Sequence, residues 1–235
     1  MSGAPRRPLA RALLGLALAA TSASASAGRP LDTEDAEIID EGRCQLESWA
    51  FQSRSAKRYW LVPACNPFGN LELQLGFARE QTDDAPRHND YVLQAKTLLK
   101  PLEENGWGIG LVGSAARFGG GDDRTWGYTA LLAVSRSFDD NRARLHGNAG
   151  AVYTQRTRGL SGLWAVAGEF DVTERVTLVG EVLGVAGEGR LAQVGARLWI
   201  VPDRVQIDGS VGRSDFSGRT ESFFTLGIYL ATPVR

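Results

Sequence analysis

Between residues 70 and 79 the chain reads NLELQLGFAR, with Leu71, Leu73, Leu75 and Phe77 on one parity and Glu72, Gln74, Gly76 and Ala78 on the other. A period of two puts these sets on opposite faces of an extended strand, one apolar and one polar. Similar short segments recur at 91–100, 107–117, 126–138, 143–155, 163–172, 176–184, 191–201, 205–212 and 222–231. Two more surround RCQLESWAF and KRYWLVPAC. The expectation is an all-β chain of about twelve strands, within a range of roughly ten to fourteen.

The connectors alternate in character. Turn-like stretches at 66–69, 103–106, 139–142, 173–175 and 202–204 exchange with mostly longer, polar or glycine-rich ones at 80–90, 119–125, 157–162, 185–190 and 213–220. The first hairpin, turning near Arg54-Ser55, is the short exception. Short turns on one side and longer loops on the other suit a transmembrane antiparallel β-barrel. An even strand count returns both termini to the same side.

Alternation alone also fits a soluble barrel or sandwich with its apolar face inward. Three features favour lipid. Most segments approach the ~9–11 residues that cross a bilayer at a tilt. Aromatic residues stand near strand ends, among them Tyr91, Trp107, Trp126, Tyr128, Tyr153, Trp164, Phe170 and Trp199, as interfacial girdles require. The polar faces are rich in Gly, Ala, Ser and Thr with sparse charge, which fits a narrow lumen.

The N-terminus supports export. Arg6, Arg7 and Arg11 precede an apolar run from Leu13 to Ala20, and Ala25-Ser26-Ala27 offers a small-residue cleavage site. The run is far short of the ~20 residues of a spanning helix, so a cleaved signal peptide is expected. Cleavage there leaves 208 of 235 residues. It removes three of 26 basic residues and none of 27 acidic ones, for a net charge of about −4. Nothing is basic enough to propose nucleic acid as a partner. The expected division is 1–27 signal peptide, 28–41 acidic periplasmic leader and 42–235 barrel. The leader, containing DTEDAEIIDE, is expected to be solvated. The alternatives are a plug folded into the lumen or a contact for a periplasmic energy-coupling partner.

An even cysteine count in an exported chain fits a disulfide. If the first two strands pair about their turn, Trp49 faces Trp60, Leu46 faces Pro63 and Cys44 faces Cys65, within bridging reach.

RPLDTEDA, GRCQLESW, PACNPFGNLELQLG and QAKTLLKPLEENGWGIGL, all between residues 29 and 111, resemble proteobacterial outer-membrane proteins of the MetA-pathway-of-phenol-degradation transporter type. The resemblance implies a Gram-negative outer-membrane location and a broad role in the passage of small organic solutes. Passive passage of small solutes, hydrophobic or aromatic ones among them, is the expected function, and the even strand count puts both termini on the periplasmic side. For an outer-membrane barrel the expected partners are outer-membrane lipid, lipopolysaccharide and the barrel-insertion machinery. The last residues, Tyr229-Leu230-Ala231-Thr232-Pro233-Val234-Arg235, depart from the terminal aromatic such barrels commonly carry.

With apolar faces toward lipid, the lumen is expected to hold Glu72, Lys96, Lys100, Arg144, His146, Glu169, Asp171, Glu181, Arg197 and Asp208, along with Glu47, Asn148, Gln193 and Gln206. Lys96 and Arg144 are each expected to pair across the interior with Glu72, Glu169 or Glu181. These charges either brace a filled lumen, giving a structural or surface-interaction barrel, or line a selective pore. An outer-membrane lipid-modifying enzyme is the remaining alternative. His146 has Asn148 on its face but no serine two residues away, and the chain has no GxSxG motif, so no catalytic residue is assigned. GWGIGLVG and RFGGGDDR lack the strand–loop–helix setting of a phosphate cradle, so no cofactor is expected. Asp83-Asp84 and Asp122-Asp123 read as solvated loop acids, and no metal is expected.

Overall fold

The computed structural model describes residues 28–82, 87–119, 125–155, 158–216, 218 and 220–232. The expected signal segment, Asp83-Asp84 and Asp122-Asp123 lie outside the described residues.

Twelve strands follow one another: β1 (Cys44–Ser53), β2 (Ala56–Cys65), β3 (Glu72–Thr82), β4 (His88–Lys100), β5 (Trp107–Phe118), β6 (Thr125–Phe138), β7 (Ala143–Thr154), β8 (Gly159–Thr173), β9 (Val176–Val185), β10 (Gly189–Val201), β11 (Val205–Ser214) and β12 (Glu221–Ala231). Each pairs antiparallel with its chain neighbours, and β1 closes on β12. Closure gives every strand two partners and leaves no edge, the only sheet arrangement compatible with a hydrocarbon surround.

The first hairpin adopts the register its own residues suggest, with Cys44 opposite Cys65, Leu46 opposite Pro63 and Trp49 opposite Trp60. Cys44 and Cys65 are joined, and the two indoles stack with centroids 5.4 Å apart. The β6–β7 turn places Asp139, Asp140 and Asn141 at φ of 52°, 52° and 68°, a region Asp and Asn tolerate better than other non-glycine residues. Several strands run further than their sequence signal. β8 starts at Gly159 and β10 at Gly189, so the connectors expected at 157–162 and 185–190 are tighter.

The faces divide by parity. On β10, Val194 is 63% exposed while its neighbour Gln193 is 5% exposed. On β11, Val211 is 60% exposed while Ser210 is 6% exposed. Apolar side chains therefore form the outside and polar ones the bore, the reverse of a soluble barrel. Trp107, Trp126, Tyr128, Tyr153, Trp164 and Phe170 stand exposed on the outer face. Trp199 departs from the expected girdle. It pairs opposite the fully buried Gln206 and meets the buried Tyr229 edge to face, with centroids 5.7 Å apart.

Candidate functional site: the bore and its leader

Residues 28–41 run through the bore without regular secondary structure. This corrects the expectation of a solvated leader, and it matches the plug alternative. The physical reason lies in hydrogen bonding. A chain without a ladder must satisfy its own N–H and C=O groups, and the bore supplies side-chain partners.

The partners are ordered along the leader. Near β1, Ile39 N–H donates to Glu72 Oε2 (2.8 Å), and Asn66 Nδ2 donates to Ile39 O (2.6 Å). Ala36 N–H donates to Ser135 Oγ on β6 at 2.8 Å. Asn148 on β7 makes a two-way bond with Glu34: its Oδ1 accepts the N–H (2.8 Å), and its Nδ2 donates to the carbonyl (2.7 Å). Glu181 on β9 accepts the consecutive N–H groups of Asp32 and Thr33 at 2.9 and 2.8 Å. Gln193 Nε2 donates to Pro30 O at 2.9 Å, and Arg197 donates to the carbonyls of Gly28 and Arg29.

Side-chain contacts add to this frame. Lys96 Nζ lies 2.6 Å from Asp35 Oδ1 and 3.1 Å from Glu34 Oε2. Arg29 reaches Asp208 at 3.4 Å, and its guanidinium sits 4.3 Å from the Trp49 ring centroid. Leu31 packs with Ala167 and Val179. A cavity of about 170 Å³ remains between the leader and the β1, β3 and β4 wall, where Glu47, Trp49, Glu72 and Gln74 line it. Within the leader, burial and the nearby Asp35 carboxylate push the Glu37 carboxyl up to about 7.

A second network braces the wall itself. Glu169 meets Arg197 at 2.9 Å and Arg144 at 3.0 Å, with His146 Nε2 at 3.6 Å. Arg144 also reaches Asp171 at 3.2 Å. The expected Arg144–Glu169 pair therefore forms, but between neighbouring strands. Lys96 stands opposite Glu72 in register, while its close carboxylates belong to the leader.

Glu72, Lys96, Arg144, His146, Glu169, Asp171, Glu181, Arg197 and Asp208 all belong to the bore side of their strands. Lys100 does not, which corrects its expected place in the lumen. A bulge between Leu98 and Lys100 shifts its parity, so that it pairs with Ile109 and lies over the Trp107 ring at 4.8 Å. There it meets Glu103 at 2.8 Å on the rim.

Ser135 and Asn66 were not among the expected residues. Ser135 sits directly opposite His146, with Oγ 2.8 Å from Nδ1. The 139–142 turn fixes that opposition, so the sequence carried the signal across the hairpin rather than along one strand. The Ser135 hydroxyl also accepts the Ala36 N–H, which makes it a leader anchor. Glu80, His88 and Asp90 bring three donor atoms within 4.8 Å of one another. Glu80 is already paired with Arg58 at 2.6 Å, and Asp90 accepts the Gly119 N–H at 2.8 Å.

The family profile described as "Uncharacterised conserved protein UCP029691" matches residues 14–232. The chain belongs to that family. Among curated proteins, none matches the sequence. The fold is shared with outer-membrane barrels of known structure. The COG4313 outer membrane channel from Pseudomonas putida F1 superposes with a TM-score of 0.66 at 12% identity, covering 86% of this chain and 100% of that one. The KdgM porin in complex with disordered oligogalacturonate gives 0.63 at 10% identity, over 80% and 99%. The NanC porin gives 0.61 at 8% identity, over 80% and 98%.

Proposed function

We propose that this protein is an outer-membrane barrel of a Gram-negative bacterium that passes small solutes, hydrophobic or aromatic ones among them, through a bore its own leader closes at rest. The observation that carries the reading is the division of faces. A closed barrel with an apolar exterior belongs in lipid, and a charged interior holding one removable segment is a conduit with a stopper. The shared fold with the KdgM and NanC porins and the COG4313 channel supports it, as does the resemblance to MetA-pathway transporters. On this reading residues 1–27 are the export signal. The termini lie on the periplasmic side, and lipid with lipopolysaccharide surrounds the barrel.

One observation favours a second reading, a structural barrel. Glu169, Arg144 and Arg197 brace the wall, and the leader fills the space they leave. Planar-bilayer conductance separates the two. Residues 28–235 are refolded, heat-modifiable gel migration establishes folding, and current is recorded before and after proteolytic release of the leader. Steady openings after release support the conduit. A folded barrel still silent after release supports the structural reading.

A further inference from the structure

The wall grips the leader chiefly by its main chain. Five leader N–H groups, those of Asp32, Thr33, Glu34, Ala36 and Ile39, donate to wall side chains. Five carbonyls, those of Gly28, Arg29, Pro30, Glu34 and Ile39, accept from them. Every peptide carries such groups whatever its sequence, so these contacts recognise a polypeptide as such. Two of the acceptors, Glu181 and Glu72, are carboxylates. They repel an anionic solute yet bind peptide N–H groups strongly, as charge-assisted bonds do. Glu181 takes two successive N–H groups, the concave donor arrangement that fits an anion. Side-chain selectivity comes from Lys96, which holds the adjacent acids Glu34 and Asp35, with Gln94 donating to Glu34, the Thr33 hydroxyl donating to Glu181 and Arg29 reaching Asp208.

We propose that the bore is a peptide-binding site that reads main chain plus one acidic pair. The leader occupies it in cis, and a free acidic peptide of about a dozen residues occupies it when the leader is gone. The inference does not rest on conduction.

The test keeps the full chain for folding. A protease recognition sequence is inserted between Glu41 and Gly42, both exposed, and the leader is cut after refolding. A fluorescent peptide of sequence 28–41 is then titrated into the cut barrel. Saturable uptake is expected. N-methylation of the peptide at Thr33, Glu34, Ala36 and Ile39 removes four donors and is expected to weaken binding by ~100-fold or more. A peptide with alanine at Glu37 and Ile38 is expected to bind within ~10-fold of the parent, because the main-chain bonds remain. Lysine at Glu34 and Asp35 abolishes binding to the parent barrel, and Lys96→Glu recovers it. A cut barrel that takes up no free peptide overturns the proposal, as does an N-methylated peptide that binds like its parent. A barrel that binds peptide but never conducts would sink the conduit and leave this site standing.

Discussion

Lys96 Nζ and Asp35 Oδ1 lie 2.6 Å apart in the bore, joining strand β4 to a segment that precedes the first strand. Both side chains are largely withdrawn from solvent, at 7% and 10% exposure. Removing one partner of a buried pair leaves the other uncompensated, at a cost of ~3–5 kcal/mol. Lys96→Met is expected to raise the release rate of a cut leader by ~100-fold or more. The exchanged pair Lys96→Asp with Asp35→Lys is expected to recover most of the loss. Dissociation of a labelled leader measures both.

Glu37 makes seating of the leader depend on pH. Its carboxyl stays protonated in the bore up to about 7, against an ordinary value of 4.5. A freed leader loses that proton near 4.5, so between the two values the seated state binds more protons. The linkage then favours seating fully below 4.5, weakens it as pH rises toward 7, and adds nothing further above that. Leader release is expected to accelerate across this window and to do so less steeply in Glu37→Gln. The rest of the slope comes from Asp32, whose carboxyl burial and the nearby Glu181 also push up to about 7. A slope unchanged by that substitution would assign the dependence to other groups.

Glu169 gathers Arg144 and Arg197 on one carboxylate. Glu169→Gln strips the charge that compensates both, and the temperature at which the folded gel band disappears is expected to fall. Glu103→Gln removes a rim partner of Lys100 whose own side chain is 67% exposed. Exposed pairs contribute little, so that temperature is expected to stay within experimental scatter.

The outer face makes its own prediction. Val194 faces outward at 63% exposure in the middle of β10. Val194→Arg is expected to cost ~2–4 kcal/mol in a bilayer and to slow refolding into vesicles, more so in thicker ones. In a soluble barrel the same change would be nearly silent.

Cys44 and Cys65 are expected to give no free thiol in the folded protein and two after reduction under denaturing conditions. Reduction is expected to leave the β-sheet circular dichroism intact. The hairpin register also rests on Trp49 against Trp60 and on the continuous ladder from Cys44 to Gln52.

How much of this the chain disclosed follows from which atoms make each contact. Strands were legible because Leu71, Leu73, Leu75 and Phe77 write a face directly into side-chain identity, and a closing hairpin converts that face into register. Lys100 misled because a bulge one residue earlier reverses parity without changing composition. The leader was opaque for a deeper reason. Its hold on Glu181, Asn148 and Ser135 uses chiefly main-chain N–H groups, which leave no trace in residue type. Its acids, meanwhile, look like those of any solvated segment. The contacts of Lys96 with Glu34 and Asp35 and of Arg29 with Asp208 do join side chains of opposite charge, but nothing in the sequence pairs one with the other.

Gly42 sits at φ 74° directly after the leader, with its N–H donated to Asn66 O at 2.8 Å. The segment in the bore is thus anchored one short turn from β1. A tethered ligand with so little slack meets its site at an effective concentration on the order of millimolar. A leader pulled out by a transient fluctuation therefore returns to its own seat before a dilute competitor arrives. In the intact chain a free peptide must reach a comparable concentration to win. The closed barrel resets itself, with no second component needed to shut it.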